Sequence, residues 1–157
     1  MEIDAETAAG LPRRGIGRMV HNCQRAFQST LERRLRRHAI TPSHWYHLNE
    51  LWTEDGLTQI EMSKRLEIEK ASSTQVLDDL VQRGLIDRHR VSDDRRKIAN
   101  HLTPRGRTLV AQLLEEMDRL SSQSQRGVTE RDMQTFLKVL MRLTTNLRAM
   151  SDELGAG

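Results

Sequence analysis

Apolar residues recur along most of the chain at intervals of three and four, which predicts helices. Ile16, Val20, Cys23, Phe27, Leu31 and Leu35 form the stripe of a first helix. Thr41-Pro42 reads as an N-cap with proline at the first helical position. The helix it opens carries Trp45, Leu48, Leu51 and Trp52 on one face and stops near Gly56. Thr58-Gln59-Ile60-Glu61 is a capping box, flanked by Leu57 and Met62 as a hydrophobic staple, and its helix ends near Leu66. Glu67-Ile68-Glu69 then makes a tight connection. A fourth helix is predicted from Lys70 to Arg83, with Val76, Leu77, Leu80 and Val81 inward. Gly84 suits the left-handed residue that ends a helix, and Leu85 the packing residue behind it.

The pattern changes after Gly84. Leu85 to Arg90 and Lys97 to Leu102 read as two short strands joined by a charged loop from Val91 to Arg96. Thr103-Pro104 caps a long helix bearing Leu109, Val110, Leu113, Met117 and Leu120. Beyond Gly127, Thr129 to Asp132 forms another capping box, opening a helix with Met133, Phe136, Leu137, Leu140, Leu143 and Leu147. Two helices across a short turn, followed by a basic strand-loop-strand, have the order of a winged helix-turn-helix. The expected fold is mainly α with a small β-wing. The long flanking helices carry more apolar surface than one small domain buries, which points to a coiled-coil-like homodimer, with an intrachain three-helix bundle as the alternative. The expected division is a flexible arm over 1–15, a dimerising first helix over 16–40, a DNA-binding domain over 41–103 and C-terminal dimerising helices over 104–151.

Charge sharpens this picture. The 157 residues carry a formal net charge of only +3, but its distribution is uneven. Eight arginines lie between Arg13 and Arg37 against the single acid Glu32. Eight basic residues lie between Arg83 and Arg107 against Asp87, Asp93 and Asp94. Concentrated positive charge is a footprint for phosphate. The single cysteine, Cys23, excludes an intramolecular disulfide framework. Met1 to Gly10 lacks the apolar centre of a signal peptide, and no run approaches the ~20 apolar residues that span a membrane. The expectation is a cytoplasmic protein with no membrane partner and no cofactor. No glycine-rich phosphate loop or nucleophile motif suggests an enzyme.

Several segments together resemble the MarR family of bacterial regulators. They are Leu57-Thr58-Gln59 with Glu61 and Leu66, the run Leu80-Val81-Gln82-Arg83-Gly84-Leu85-Ile86, and Asp94-Arg95-Arg96 followed by Leu102-Thr103-Pro104-Arg105-Gly106. Thr41 to Trp45 resembles the family's second helix. The likeness spans about Ile16 to Met150. It implies a homodimer on a pseudo-palindromic double-stranded operator, repression by blocking promoter access, and release by a small anionic or aromatic effector. The chain departs from the family pattern at Gln75, where arginine is common, at Ser73, usually an apolar inner position, and at Glu67, usually glycine.

The fourth helix would then enter the major groove with Ser72, Thr74 and Gln75, since glutamine reads adenine through two hydrogen bonds and hydroxyls serve several base edges. The resemblance assigns Arg96 to the minor groove with Asp94 as its orienting partner, and Arg95 and Lys97 to phosphates. Arg88 is a further phosphate candidate. An effector pocket would draw on Arg18, His21 and Arg25 of the first helix with Trp45 and His47 of the second. The alternative for Trp45 is plain core. Cys23 offers a redox-sensing alternative. Its place on the apolar stripe reads instead as a buried thiol, and Tyr46 is the only tyrosine to assist it. His44, His47 and Glu50, three apart on one helix, have the spacing of metal ligands. The remaining alternative is a helical interaction protein that binds no DNA.

Overall fold

The computed structural model describes the backbone of residues 15–91 and 94–155, and the side chains of all of these except 91, 94–96 and 155. The predicted arm over 1–15 lies, but for Gly15, outside the described residues. The elements run α1 (Ile16–Leu35), a 3-10 turn (Arg36–His38), α2 (Pro42–Thr53), α3 (Gln59–Arg65), α4 (Lys70–Gln82), β1 (Ile86–Val91), β2 (Asp94–Leu102), α5 (Pro104–Ser124) and α6 (Glu130–Gly155). The chain forms two compact units that divide after Met117, part-way along α5.

Capping chemistry sets the starts of the helices. Thr41 Oγ1 accepts the His44 amide and the Thr41 amide donates to His44 Nδ1, a capping box in which histidine takes the place of glutamate. Thr58 and Glu61 form the predicted box on α3, and the Thr58 amide and hydroxyl, both donating to the Glu61 carboxylate, hold that carboxyl below its ordinary value. Thr129 and Asp132 open α6. At the end of α4, Gly84 sits at φ 65 while its amide and that of Leu85 bond to Val81 and Leu80, the doubly bonded helix stop expected of that glycine. Glu67 adopts the same left-handed conformation, at φ 52, in the turn between α3 and α4.

The core of the first unit joins Leu31 and Leu35 of α1, Trp45, Leu48 and Leu51 of α2, Met62 of α3, Leu77 and Leu80 of α4, and Val110 and Leu113 of α5. Trp52, expected on the same face as Leu51, is exposed. It follows Leu51 by one residue, about 100° round the helix. On α4 the inward positions are Ser73, Leu77 and Leu80, while Val76 and Val81 are half-buried. Cys23 was expected to be buried. It is exposed, as are its stripe neighbours Ile16, Val20 and Phe27. Only the last two turns of α1 reach the core of this chain, which leaves the rest of the stripe uncovered.

The wing is an antiparallel pair, Ile86 opposite Leu102 through Arg90 opposite Ile98, with a register shift between Arg90 and Val91 before Val91 meets Asp94. The second strand therefore begins at Asp94, three residues earlier than predicted, and takes in part of the charged loop. A bridge from Thr58 to Ala99 joins the start of α3 to the sheet.

Candidate nucleic-acid interface

Helices α3 and α4 meet through polar contacts at their N-terminal ends. Gln59 Nε2 donates to the Lys70 carbonyl at 2.9 Å and also to Thr74 Oγ1, while the Thr74 hydroxyl donates to the same Lys70 carbonyl. Thr74 is thus occupied in bracing the two helices. The other candidates on this face, Ser72 and Gln75, are exposed, as are Ala71 and Lys70 beside them. A cleft of about 370 Å³ opens between Thr58 to Glu61 at the start of α3, Lys70 of α4, and Lys97 and Ile98 of β2. Two ammonium groups, from Lys70 and Lys97, therefore flank the groove between recognition helix and wing. The side chains of Asp94, Arg95 and Arg96 lie outside the described residues.

Arg88, expected at phosphates, has partners within the fold. Its Nη1 pairs with Asp78 of α4 at 2.7 Å and its Nε donates to Asn100 at 3.2 Å. Asn100 is buried and donates through Nδ2 to the Leu57 carbonyl, which also accepts the Asn100 amide. Arg88 is a clamp between the reading helix and the wing rather than an uncommitted cation. Asn100, a polar residue within the strand, ties β2 to the segment preceding α3.

The acidic residues of α4 are neutralised in the same way. Asp78 pairs with Arg88, while Asp79 accepts from Arg83 Nε at 2.7 Å and His44 Nε2 at 2.8 Å. Asp55, before α3, receives the Leu102 amide, His101 Nδ1 and Arg107 Nη2, each at 3.0 Å. Burial pushes the Asp55 carboxyl upward, but these donors outweigh it and hold the group below its ordinary value. Both flanks of the wing are thereby fixed by ion pairs that the net charge alone did not reveal.

The five residues expected to line an effector pocket differ in their exposure. Arg18, His21 and Arg25 stand on the exposed half of α1, whereas Trp45 and His47 are buried. His47 is 1% exposed, with Nδ1 2.8 Å from the Ser43 carbonyl and Nε2 3.1 Å from Ser73 Oγ. His44 is equally committed, so the pair that had metal-ligand spacing serves the contact between α2 and α4. A second cleft, of about 420 Å³, lies elsewhere in this unit. His38, Arg83, Arg105 and Gln112 supply its polar rim, and Ile40, Leu85 and Leu109 its apolar wall.

A helix-turn-helix with an exposed polar face and a clamped basic β-wing defines a DNA-binding transcriptional regulator. Residues 40–98 match the model of the MarR family, and the chain carries a winged-helix domain of that family. Among solved structures, it is similar to the MarR protein of Peptoclostridium difficile, at 21% identity and a TM-score of 0.79 over 86% of this chain and 88% of that one. It is also similar to the transcriptional regulator PA3341, at 27% identity and TM-score 0.78 over 86% and 99% of the two chains. A third likeness is to BpsR of Bordetella bronchiseptica, at 18% identity and TM-score 0.76 over 83% and 93%, whose DNA binding is regulated by 6-hydroxynicotinic acid.

Proposed function

We propose that the protein is a homodimeric repressor that reads a pseudo-palindromic operator and is released by a small organic anion. The reading is carried by the exposed Ser72–Gln75 face of a recognition helix braced on both sides, by α3 and by the wing. Ser72 and Gln75 are assigned to base edges, and Lys70, Lys97 and Arg95 to phosphates. Arg96, oriented by Asp94, is assigned to the minor groove, where narrow A·T tracts attract a guanidinium. Thr74 and Arg88 hold the geometry. Exposed apolar side chains on α1 and α6 supply the surface for a second copy, and two reading heads about 34 Å apart fit successive turns of one DNA face.

The cleft rimmed by His38, Arg83 and Arg105 is the proposed effector site. Its two guanidinium groups suit a carboxylate, and its wall of Ile40, Leu85 and Leu109 suits a flat apolar body. Arg83 also holds Asp79 of α4 and donates to the Ala39 carbonyl, so a ligand that recruits Arg83 acts directly on the recognition helix. The test is fluorescence anisotropy on the DNA upstream of the protein's own gene, at two salt concentrations and with a panel of aromatic carboxylates. Steep salt dependence with sequence preference, and release by one carboxylate that Arg105→Ala abolishes, are expected. Absence of binding to any duplex overturns the regulator reading, and release that survives Arg105→Ala overturns the site.

A further inference from the structure

We propose that His44 and His47 are positioning residues, which hold recognition helix α4 in its DNA-reading pose only while both imidazoles are neutral. The two rings project from one face of α2, three residues apart, and each bonds to a different turn of α4. His44 Nε2 is 2.8 Å from Asp79 Oδ2 and His47 Nε2 is 3.1 Å from Ser73 Oγ. Six residues separate Ser73 from Asp79, or about 9 Å along the helix, so the two bonds fix both its position and its tilt. Ser72 and Gln75, which present the reading surface, adjoin Ser73. The serine that departs from the family's apolar pattern is thus the partner of a buried histidine.

Hydrogen bonding fixes the tautomers. The Thr41 amide donates to His44 Nδ1 at 3.2 Å, so that nitrogen is bare and the proton sits on Nε2, facing Asp79. The Ser43 carbonyl can only accept, so His47 carries its proton on Nδ1 and its bare Nε2 accepts from the Ser73 hydroxyl. Each ring uses both nitrogens with a single proton. A second proton on His44 would oppose the Thr41 amide and break the cap of α2. A second proton on His47 would place a charge at a site 1% exposed to solvent.

The charged groups bearing on His44 are Asp79, which favours its protonation, and Arg83, which opposes it. Among the described residues, the charged group bearing on His47 is His44 itself. Burial outweighs Asp79 at His44 and the Ser43 carbonyl at His47, so both groups lie below the ordinary histidine value. Acidification therefore favours conformations in which the rings leave the seam and α4 loses its support. The consequence for DNA runs opposite to the usual one. Added positive charge normally strengthens phosphate binding, whereas here mild acid weakens it.

This inference rests on DNA binding through α4, but its test begins without DNA. In the free protein, NMR titration of the imidazole C–H groups from about pH 8 to about pH 5.5 is expected to show His44 and His47 charging below the ordinary histidine value of about 6.5. The Ser73 and Asp79 amide shifts are expected to move with them. Charging of these two rings at or above that ordinary value, or α4 amides that ignore them, overturns the proposal. Anisotropy at fixed ionic strength over the same range then gives about a tenfold loss of affinity on acidification. A His44→Gln/His47→Gln variant supplies neutral amides, each with a donor and an acceptor, in place of the rings and is expected to flatten that profile, while Ser73→Ala weakens binding with the fold retained by circular dichroism. A Gln variant with the full acid dependence of wild type also overturns the proposal.

Discussion

Gly106 stands where α5 passes closest to the chain leaving α4. A Cβ there would lie 2.1 Å from the Leu85 carbonyl oxygen, a backbone atom that has little room to move. The same carbonyl accepts from the Thr103 amide, so the Leu102-Thr103-Pro104-Arg105-Gly106 run is a packing device as well as a helix start. Gly106→Ala should cost about 1–3 kcal/mol through overpacking, seen as a lowered Tm in thermal melts. Glu67 presents the opposite case, a side chain held in a left-handed conformation without the freedom of glycine. Glu67→Gly should raise stability by about 0.5–1 kcal/mol, the steric relief exceeding the entropy glycine loses on folding. The buried histidines add a pH dependence of fixed sign. Their folded-state values lie below about 6.5, so their neutral contribution is complete above that pH. It is lost as pH falls from there through the folded values. Thermal melts should show stability declining across that mildly acidic window, with a smaller decline in the double Gln variant.

Among elements, the wing and the recognition helix are coupled through one arginine. Arg88 reaches Asp78 and Asn100, and Asn100 reaches Leu57, so β1, β2, α4 and the start of α3 are held by a short polar chain. A clamp and a phosphate contact give different signatures in binding experiments. Lys97→Ala should weaken binding to all duplexes and reduce the magnitude of the salt slope by about one unit. Arg88→Ala should weaken binding with the slope unchanged, since no counterion-releasing contact is removed. A reduced slope for Arg88→Ala would return it to the phosphate contacts. The capping boxes at Thr58 and Thr129 and the glycine stop were legible because their partners lie within five residues. The bonds joining His47 to Ser73 and Arg88 to Asp78 were not, because each partner lies on another element, and polarity alone marks Ser73 as a misfit rather than as half of a pair.

For the whole molecule, the unresolved quantity is apolar surface. Phe27 on α1 is 45% exposed, while Phe136 and Leu147 on α6 are 51% and 63% exposed. In the proposed homodimer these stripes finish their burial against the second copy. Phe27→Asp and Leu147→Glu, made singly, should each shift sedimentation towards a monomer. Operator affinity should fall with it, since a single reading head loses the second half-site. A dimer that withstands both changes would place the interface elsewhere. No described helix is long and apolar enough to cross a membrane.

The sequence by itself determined the element order, the helix limits and the wing, because capping, glycine stops and periodicity act over distances of a few residues. It also indicated which helices would carry apolar faces beyond the needs of a single core. Tertiary structure decided what the polar residues do. It gave Thr74 and Arg88 partners within the fold, paired Asp78 and Asp79, and buried His47 against Ser73 while leaving Cys23 exposed. These outcomes depend on which side chains meet across elements, and burial changes the chemistry of a polar group only after that meeting is fixed.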